Sequence, residues 1–333
     1  MSLSLPLSGA VLAAILSYGL TWKLLPLLQR YALARPNARS SHTVPTPQGG
    51  GIAVLSATAG TILFLNTFFG PQAFDIPVIV FSAALFLATV GAVDDIHPIP
   101  ALPRLAFQSL AVGLVLTALP SHLQILTACP FWLERTLILL AGLWFVNLVN
   151  FMDGLDLMTV VETAPITAAI VTLGLRGNVA PATAITATAL GGAILGFAPF
   201  NRPIAKVFLG DVGSLPIGLL IGWCLLDLAS HGQLIAAALL PLYYLADATL
   251  TLVRRLLTRK RVWEAHRTHF YQRATDNGFT VTGVISIVLA LNIILGILAV
   301  ASTATQSLPQ KFLLLAFGAL AVTGVLFRFT RPR

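Results

Sequence analysis

Charge is scarce in this chain: 10% of its 333 residues are Asp, Glu, Lys or Arg, against 57% that are apolar. Such a composition leaves too little polar surface to cover a packed soluble core, which excludes a soluble globular domain. Cysteine is scarcer still. Cys129 and Cys224 fall in an expected outer loop and inside an apolar run, so neither a disulfide framework nor a cysteine metal site is expected. The glycine-containing "GDVGS" has neither the lysine nor the spacing of a P-loop. The start of the chain lacks the basic segment of a cleaved signal, and its first apolar run is expected to stay as a membrane span.

Apolar runs are what the sequence has in quantity. Each is about 17–25 residues long, enough to cross a hydrocarbon core of roughly 30 Å as a helix. Eleven spans are expected, at 5–28, 51–69, 76–93, 104–119, 131–149, 158–174, 181–200, 212–229, 233–253, 280–303 and 311–328. The expected fold is an all-α polytopic membrane protein, with 1–333 as one integral membrane domain. Lys and Arg mark the cytoplasmic side of such proteins. With eleven spans, seventeen of the 20 basic residues fall at one set of ends, and three, Arg135, Arg176 and Lys311, at the other. The N-terminus is therefore expected outside and the C-terminus in the cytoplasm. The net charge of +8 describes an inner face turned to anionic headgroups and substrates, with no indication of nucleic acid.

Four polar stretches interrupt the apolar pattern, and all are expected on the inner side: "GAVDDIHPIP", "NLVNFMDGLDLM", "FLGDVGSLPIG" and "AHRTHFYQRATDNG". Asp94 and Asp95 read either as helix-end residues in water or as a mutually repelling pair that needs a cation or strong donors. Pro98, Pro100 and Pro103 make the next segment a stiff loop leading to Arg104. Asn147, Asn150, Asp153 and Asp156 recur every third residue, and on a helix each step turns the side chain by about 60°. The pattern favours a helix end that unwinds near Gly154 and gathers oxygens suited to Mg²⁺; the plainer reading is a set of C-terminal caps with Gly154 left-handed. Asp211 reads as a helix N-cap, while Gly210 and Gly213 also let an anion approach backbone N–H groups. His266, Arg267 and His269 suit contacts to a diphosphate and make a weak zinc signal. Asp247, seven residues before Arg254, lies roughly 10 Å inside a span and is a functional candidate by its depth. Glu162 is a lesser one, and either residue has the simpler role of pairing with a basic neighbour.

Taken together these stretches resemble the polyprenyl-phosphate N-acetylaminosugar-1-phosphate transferases, the membrane enzymes that begin O-antigen, teichoic-acid and peptidoglycan lipid intermediates. The resemblance runs in order from about 35 to 275. "HTVPTPQGGG", with His42, looks like the family's first inner loop, "VDDIHPIPALPRL" like its aspartate-pair loop, "NLVNFMDGLDLM" like its Asn-x-x-Asn-x-x-Asp-Gly signature and "FLGDVGSLPIG" like its Gly-Asp-x-Gly-Ser signature. "HRTHFYQRA" is similar to the histidine loop of the O-antigen-initiating branch and unlike that of the peptidoglycan branch. Arg35-Pro36 and His97-Pro98 depart from the family's pattern. The resemblance implies ten or eleven helices around a cytoplasmic active site in a bacterial inner membrane, and attack of polyprenyl phosphate on a UDP-N-acetylaminosugar with loss of UMP. It further implies Mg²⁺, with Mn²⁺ as a substitute, on Asp211 and Asn150. Asp94 would position or deprotonate the lipid phosphate, with Asp95 near the metal shell. Asn147, Asp153, Asp156, Gly210, Arg104, His266, Arg267 and His269 would bind substrate. Dimers are common in that family, so a homodimer is compatible with it. A secondary transporter is the rival reading from another class, although transporters carry their ionisable residues near the midplane. A CDP-alcohol phosphotransferase is the rival enzyme, and "DGLDLM" lacks the Asp-Gly-x-x-Ala-Arg pattern of that family.

Overall fold

The computed structural model of the chain describes residues 4–34, 45–70, 74–75, 77–119, 124–125, 128–260 and 266–333. Its helices are α1 (Ser4–Tyr31), α2 (Gly51–Phe69), α3 (Val78–Ile96), α4 (Ala101–Thr117), α5 (Phe131–Met152), α6 (Met158–Leu175), α7 (Pro181–Asn201), α8 (Asp211–Ser230), α9 (Leu234–Leu239), α10 (Leu242–Leu257), α11 (Phe270–Asp276), α12 (Val281–Thr303) and α13 (Leu308–Phe329). Two short strands, β1 (Leu33–Ala34) and β2 (Thr46–Pro47), pair antiparallel between α1 and α2.

Among the described residues nine helices are long and apolar enough to cross a membrane: α1, α2, α3, α5, α6, α7, α8, α12 and α13. Two of the eleven expected spans differ. The one expected at 104–119 is α4, an apolar helix of 17 residues that begins earlier, at Ala101, and falls just below the length of the nine. The one expected at 233–253 is divided into α9 and α10 at Pro241, which has no N–H for the helix ladder and whose ring displaces the carbonyl four residues earlier.

α7 and α8 are the most buried helices, with α1, α2 and α6 against α7 and α3 and α5 against α8. Three hydroxyls inside the bundle are satisfied within their own helices: Thr167, Thr186 and Thr188 donate to carbonyls four residues back. Peripheral α1 and α13 turn Leu7, Ile15, Trp22, Leu313, Phe317 and Leu320 outward, the surface that lipid chains would meet. α10 is amphipathic in the opposite sense from a soluble surface helix. It buries Tyr244, Asp247, Thr251 and Arg255 and exposes Leu250, Val253, Leu256 and Leu257.

Successive crossings bring all four polar stretches to one end of the bundle. There β2 continues into a parallel bridge from Gln48 to Phe208, and Gly50 and Gly51 N–H groups donate to the Phe208 and Leu209 carbonyls, each at 2.9 Å. These bonds set the N-termini of α2 and α8 side by side.

Candidate active site

The last turn of α3 splits its two aspartates between different jobs. Asp94 Oδ1 accepts the Ile99 N–H at 2.6 Å and its Oδ2 accepts Arg104 Nη1 at 2.9 Å, so the proline loop returns Arg104 onto the carboxylate. Asp95 points to α8, where its two oxygens accept the Asp211 and Val212 N–H groups at 2.9 and 3.1 Å. Negative charge is favoured at a helix N-terminus, whose first N–H groups have no partner of their own. Asp95 therefore caps α8, and Gln48 Nε2 donates to its carbonyl at 2.6 Å. Asp211 was expected as an N-cap; it is the first helical residue, and Gly210 holds the cap position with φ 78°. A Cβ at Gly210 would lie 2.6 Å from Asp95 Oδ2, so the approach needs glycine for space as well as for φ.

Asp211 faces Asp94, and their carboxyl groups stand within hydrogen-bonding reach of each other. Two carboxyls so placed need a proton or a cation between them. Asn150 Nδ2 donates to Asp211 Oδ1 at 2.7 Å and to Ser214 Oγ at 2.9 Å. With its amide nitrogen on Asp211, Asn150 orients that carboxylate. Among the described residues no group of three or more His, Cys, Asp or Glu side chains is arranged to hold a metal ion.

The four residues spaced three apart do not gather around one point, because α5 stays helical through Asn147 and Asn150 as far as Met152. Asn147 is buried and donates to Gln108 Oε1 and the Leu143 carbonyl, tying α5 to α4. Asp156 is buried and accepts the Ala205 N–H at 3.0 Å, which fixes the turn before α6 to the loop before α8. Asp153 accepts Thr159 Oγ1 at 2.5 Å. Burial, with the charges of Asp95 and Asp156 added, pushes its carboxyl up to about 6. Gly154 is not left-handed; the positive φ of this turn, 63°, belongs to Leu157, whose N–H donates to Asn201 Oδ1. Gly154 instead leaves room for Tyr271, whose hydroxyl oxygen would be 2.2 Å from a Cβ there.

The histidine segment packs on this turn. Asp247 is fully buried and pairs with the segment instead of with a basic neighbour on its own helix: it accepts the Phe270 and Tyr271 N–H groups at 2.9 and 3.1 Å and lies 3.3 Å from His269 Nδ1. Glu162 accepts from Asn292 at 2.6 Å, between α6 and α12. His269 is buried at the N-cap of α11, and the His266 ring stacks over it at 5.0 Å. Arg267 donates to Thr275 Oγ1 at 2.9 Å and lies 3.5 Å from Asp276 Oδ1. Burial pushes the Tyr271 phenol well above the usual tyrosine range, with Asp247 and Asp153 adding to the effect, so its hydroxyl keeps its proton. His42 lies outside the described residues. Gln48, Ser214 and Tyr271 were not singled out in the sequence; each acts through a partner distant along the chain, and only Tyr271's place beside His269 marked it.

Residues 77–229 match the family model described as "Glycosyl transferase family 4". The decaprenyl-phosphate N-acetylglucosaminephosphotransferase of Mycobacterium tuberculosis is 25% identical over 350 residues, covering 94% of this chain and 86% of its own. The undecaprenyl-phosphate alpha-N-acetylglucosaminyl 1-phosphate transferase of Thermotoga maritima is 28% identical over 290 residues, covering 84% and 87%. The phospho-N-acetylmuramoyl-pentapeptide-transferase of Limosilactobacillus reuteri is 25% identical over 319 residues, covering 86% and 98%.

Proposed function

The chain belongs to the polyprenyl-phosphate N-acetylaminosugar-1-phosphate transferases of glycosyl transferase family 4, and from that membership we propose that it transfers an N-acetylaminosugar-1-phosphate from a UDP-sugar to undecaprenyl phosphate. An oxygen of the lipid phosphate attacks the β-phosphorus of the donor. A new P–O bond forms as the bond from that phosphorus to the bridging oxygen breaks, and UMP leaves with the oxygen. The observation that supports this reading best is the meeting of Asp94 and Asp211 at the bundle end that also carries Arg104 and the histidine segment.

Asp94 and Asp211 fit Mg²⁺, or Mn²⁺ in its place, because such ions take one or two carboxylates and leave positions for water and phosphate oxygens. Bound there, the ion would supply charge neutralisation for the diphosphate. Asp94, oriented by Ile99 and Arg104, positions the lipid phosphate. That phosphate needs no strong base, since its second pKa near 6 leaves it largely dianionic at neutral pH. Asn150, itself held by Ser214, keeps Asp211 in place, and Asp95 holds it through the backbone of α8. Asp153 orients the sugar nucleotide. His266 and Arg267, half-buried, hold the diphosphate, and His269 supports them from beneath.

The histidine loop favours the O-antigen-initiating type, with N-acetylglucosamine, N-acetylfucosamine or N-acetylquinovosamine as the sugar. The basic residues favour the cytoplasmic side for the site, and the family resemblance implies a bacterial inner membrane. Mass spectrometry of the lipid product tests the reaction. Purified protein given undecaprenyl phosphate and a panel of UDP-N-acetylaminosugars is expected to make an undecaprenyl-diphosphate-linked sugar from one of them. A monophosphate-linked sugar accompanied by UDP would contradict the reading.

A further inference from the structure

α11 has seven residues, too few to hold itself as a helix without tertiary anchors. Its first anchor is Asp247, which accepts the N–H groups of Phe270 and Tyr271. Its second is the Tyr271 side chain. This is fully buried, and its hydroxyl donates to the Phe151 carbonyl at 3.1 Å and accepts the Gly154 N–H. The Phe151 carbonyl is one of the last four of α5, which have no partner within the helix. One phenol therefore closes the end of α5 at the turn that carries Asn150 and Asp153. The fit depends on a missing atom. A Cβ at Gly154 would be 2.2 Å from the Tyr271 hydroxyl oxygen, 3.2 Å from Cζ and 3.0 Å from Gln272 Nε2. Gly154 is not among the glycines with positive φ, so the turn itself does not demand glycine. Tyr271 does.

We propose that Tyr271 is a positioning residue, which with Gly154 locks the histidine segment onto the end of α5 so that the diphosphate-holding side chains and the Asp211-holding Asn150 keep one fixed relation. The functional half of this rests on the transferase reading; the lock itself does not. Tyr271 is fully buried and its backbone is held by Asp247, so the phenol has no room to turn away and a methyl at 154 must displace α11 or the α5 turn.

The test is a double-mutant cycle of Gly154→Ala and Tyr271→Phe in the full chain, read by melting temperature in detergent and by kcat and donor KM. Displacement by about 1 Å at a site remote from the reacting atoms costs on the order of 100-fold in rate. Gly154→Ala is expected to lower kcat/KM of the folded protein by at least about 10-fold. Adding Tyr271→Phe removes the atom at 2.2 Å and leaves a ring edge and an amide that can turn, so the double variant is expected within about threefold of Tyr271→Phe alone. A double variant no better than Gly154→Ala, or wild-type kinetics in Gly154→Ala, would overturn the proposal. Should Gly154→Ala fail to fold, folding of the double variant supports the lock, and its failure where Tyr271→Phe folds overturns it. Should the wild type show no transfer at all, the functional reading fails, and the melting temperatures still decide the lock by the same comparison.

Discussion

Replacing Asp95 by alanine separates two roles that adjacent carboxylates make easy to confuse. Its oxygens take the Asp211 and Val212 N–H groups at 2.9 and 3.1 Å, at the N-terminus of one of the most buried helices. Hydrogen bonds to a charged group are worth about 1.5–3 kcal/mol each, and a carboxylate in a partly buried helix N-terminus adds up to about 2 kcal/mol. The residue is half-buried, so water would replace part of what is lost. The net cost of Asp95→Ala should be about 2–4 kcal/mol, and that of Asp95→Asn, which keeps one acceptor, about half as much. Chemical unfolding in detergent without added metal measures the cost, and hydrogen exchange over residues 209–214 locates it. Both N–H groups should exchange faster in Asp95→Ala. A change in stability under about 0.5 kcal/mol with unaltered exchange would refute the argument, because Asp95 would then be free to act on the substrates.

Asp94→Asn should behave in the reverse way, cutting turnover by about 100- to 10,000-fold with stability changed by about 1 kcal/mol or less, as steady-state rates beside unfolding curves would show. Asp153 carries a pH signature. Its carboxyl holds a proton up to about 6, against 3.8 for an ordinary aspartate, so its contribution to stability is full below 3.8 and is lost as pH rises through about 6. Metal-free protein should lose stability across that window, and Asp153→Asn, neutral throughout, should lose less, as melting temperatures between pH 4 and 8 would show. Asp247→Ala strands the Phe270 and Tyr271 N–H groups and should cost about 3 kcal/mol, with faster exchange confined to α11.

Most of the architecture was legible in the sequence because a membrane span announces itself by length and apolarity alone. The meeting of four polar stretches at one end followed from counting crossings. The exception at Pro241 shows the limit of that counting, since one apolar run serves equally for a straight helix and for a kinked pair. Roles within the site were less legible. Asp94 and Asp95 are neighbours in sequence, but side chains one residue apart on a helix point about 100° from each other. Only the approach of α8, more than a hundred residues later, decides which one becomes a cap. The spacing of Asn147, Asn150, Asp153 and Asp156 was visible, while their division between α4, Asp211, Thr159 and the loop before α8 depended on tertiary neighbours. Gly154 has its reason in Tyr271, and nothing local to either residue carries it.

Phosphosugar transfer at the Asp94–Asp211 pair is read most simply from nucleotide release. Purified protein is given a UDP-N-acetylaminosugar with and without undecaprenyl phosphate and with and without Mg²⁺, beside Asp211→Ala. UMP is expected only when lipid and metal are both present, and none from Asp211→Ala in a folded state. UMP formed equally well by Asp211→Ala, or folded wild-type protein that releases no UMP from any donor in the panel, would contradict it.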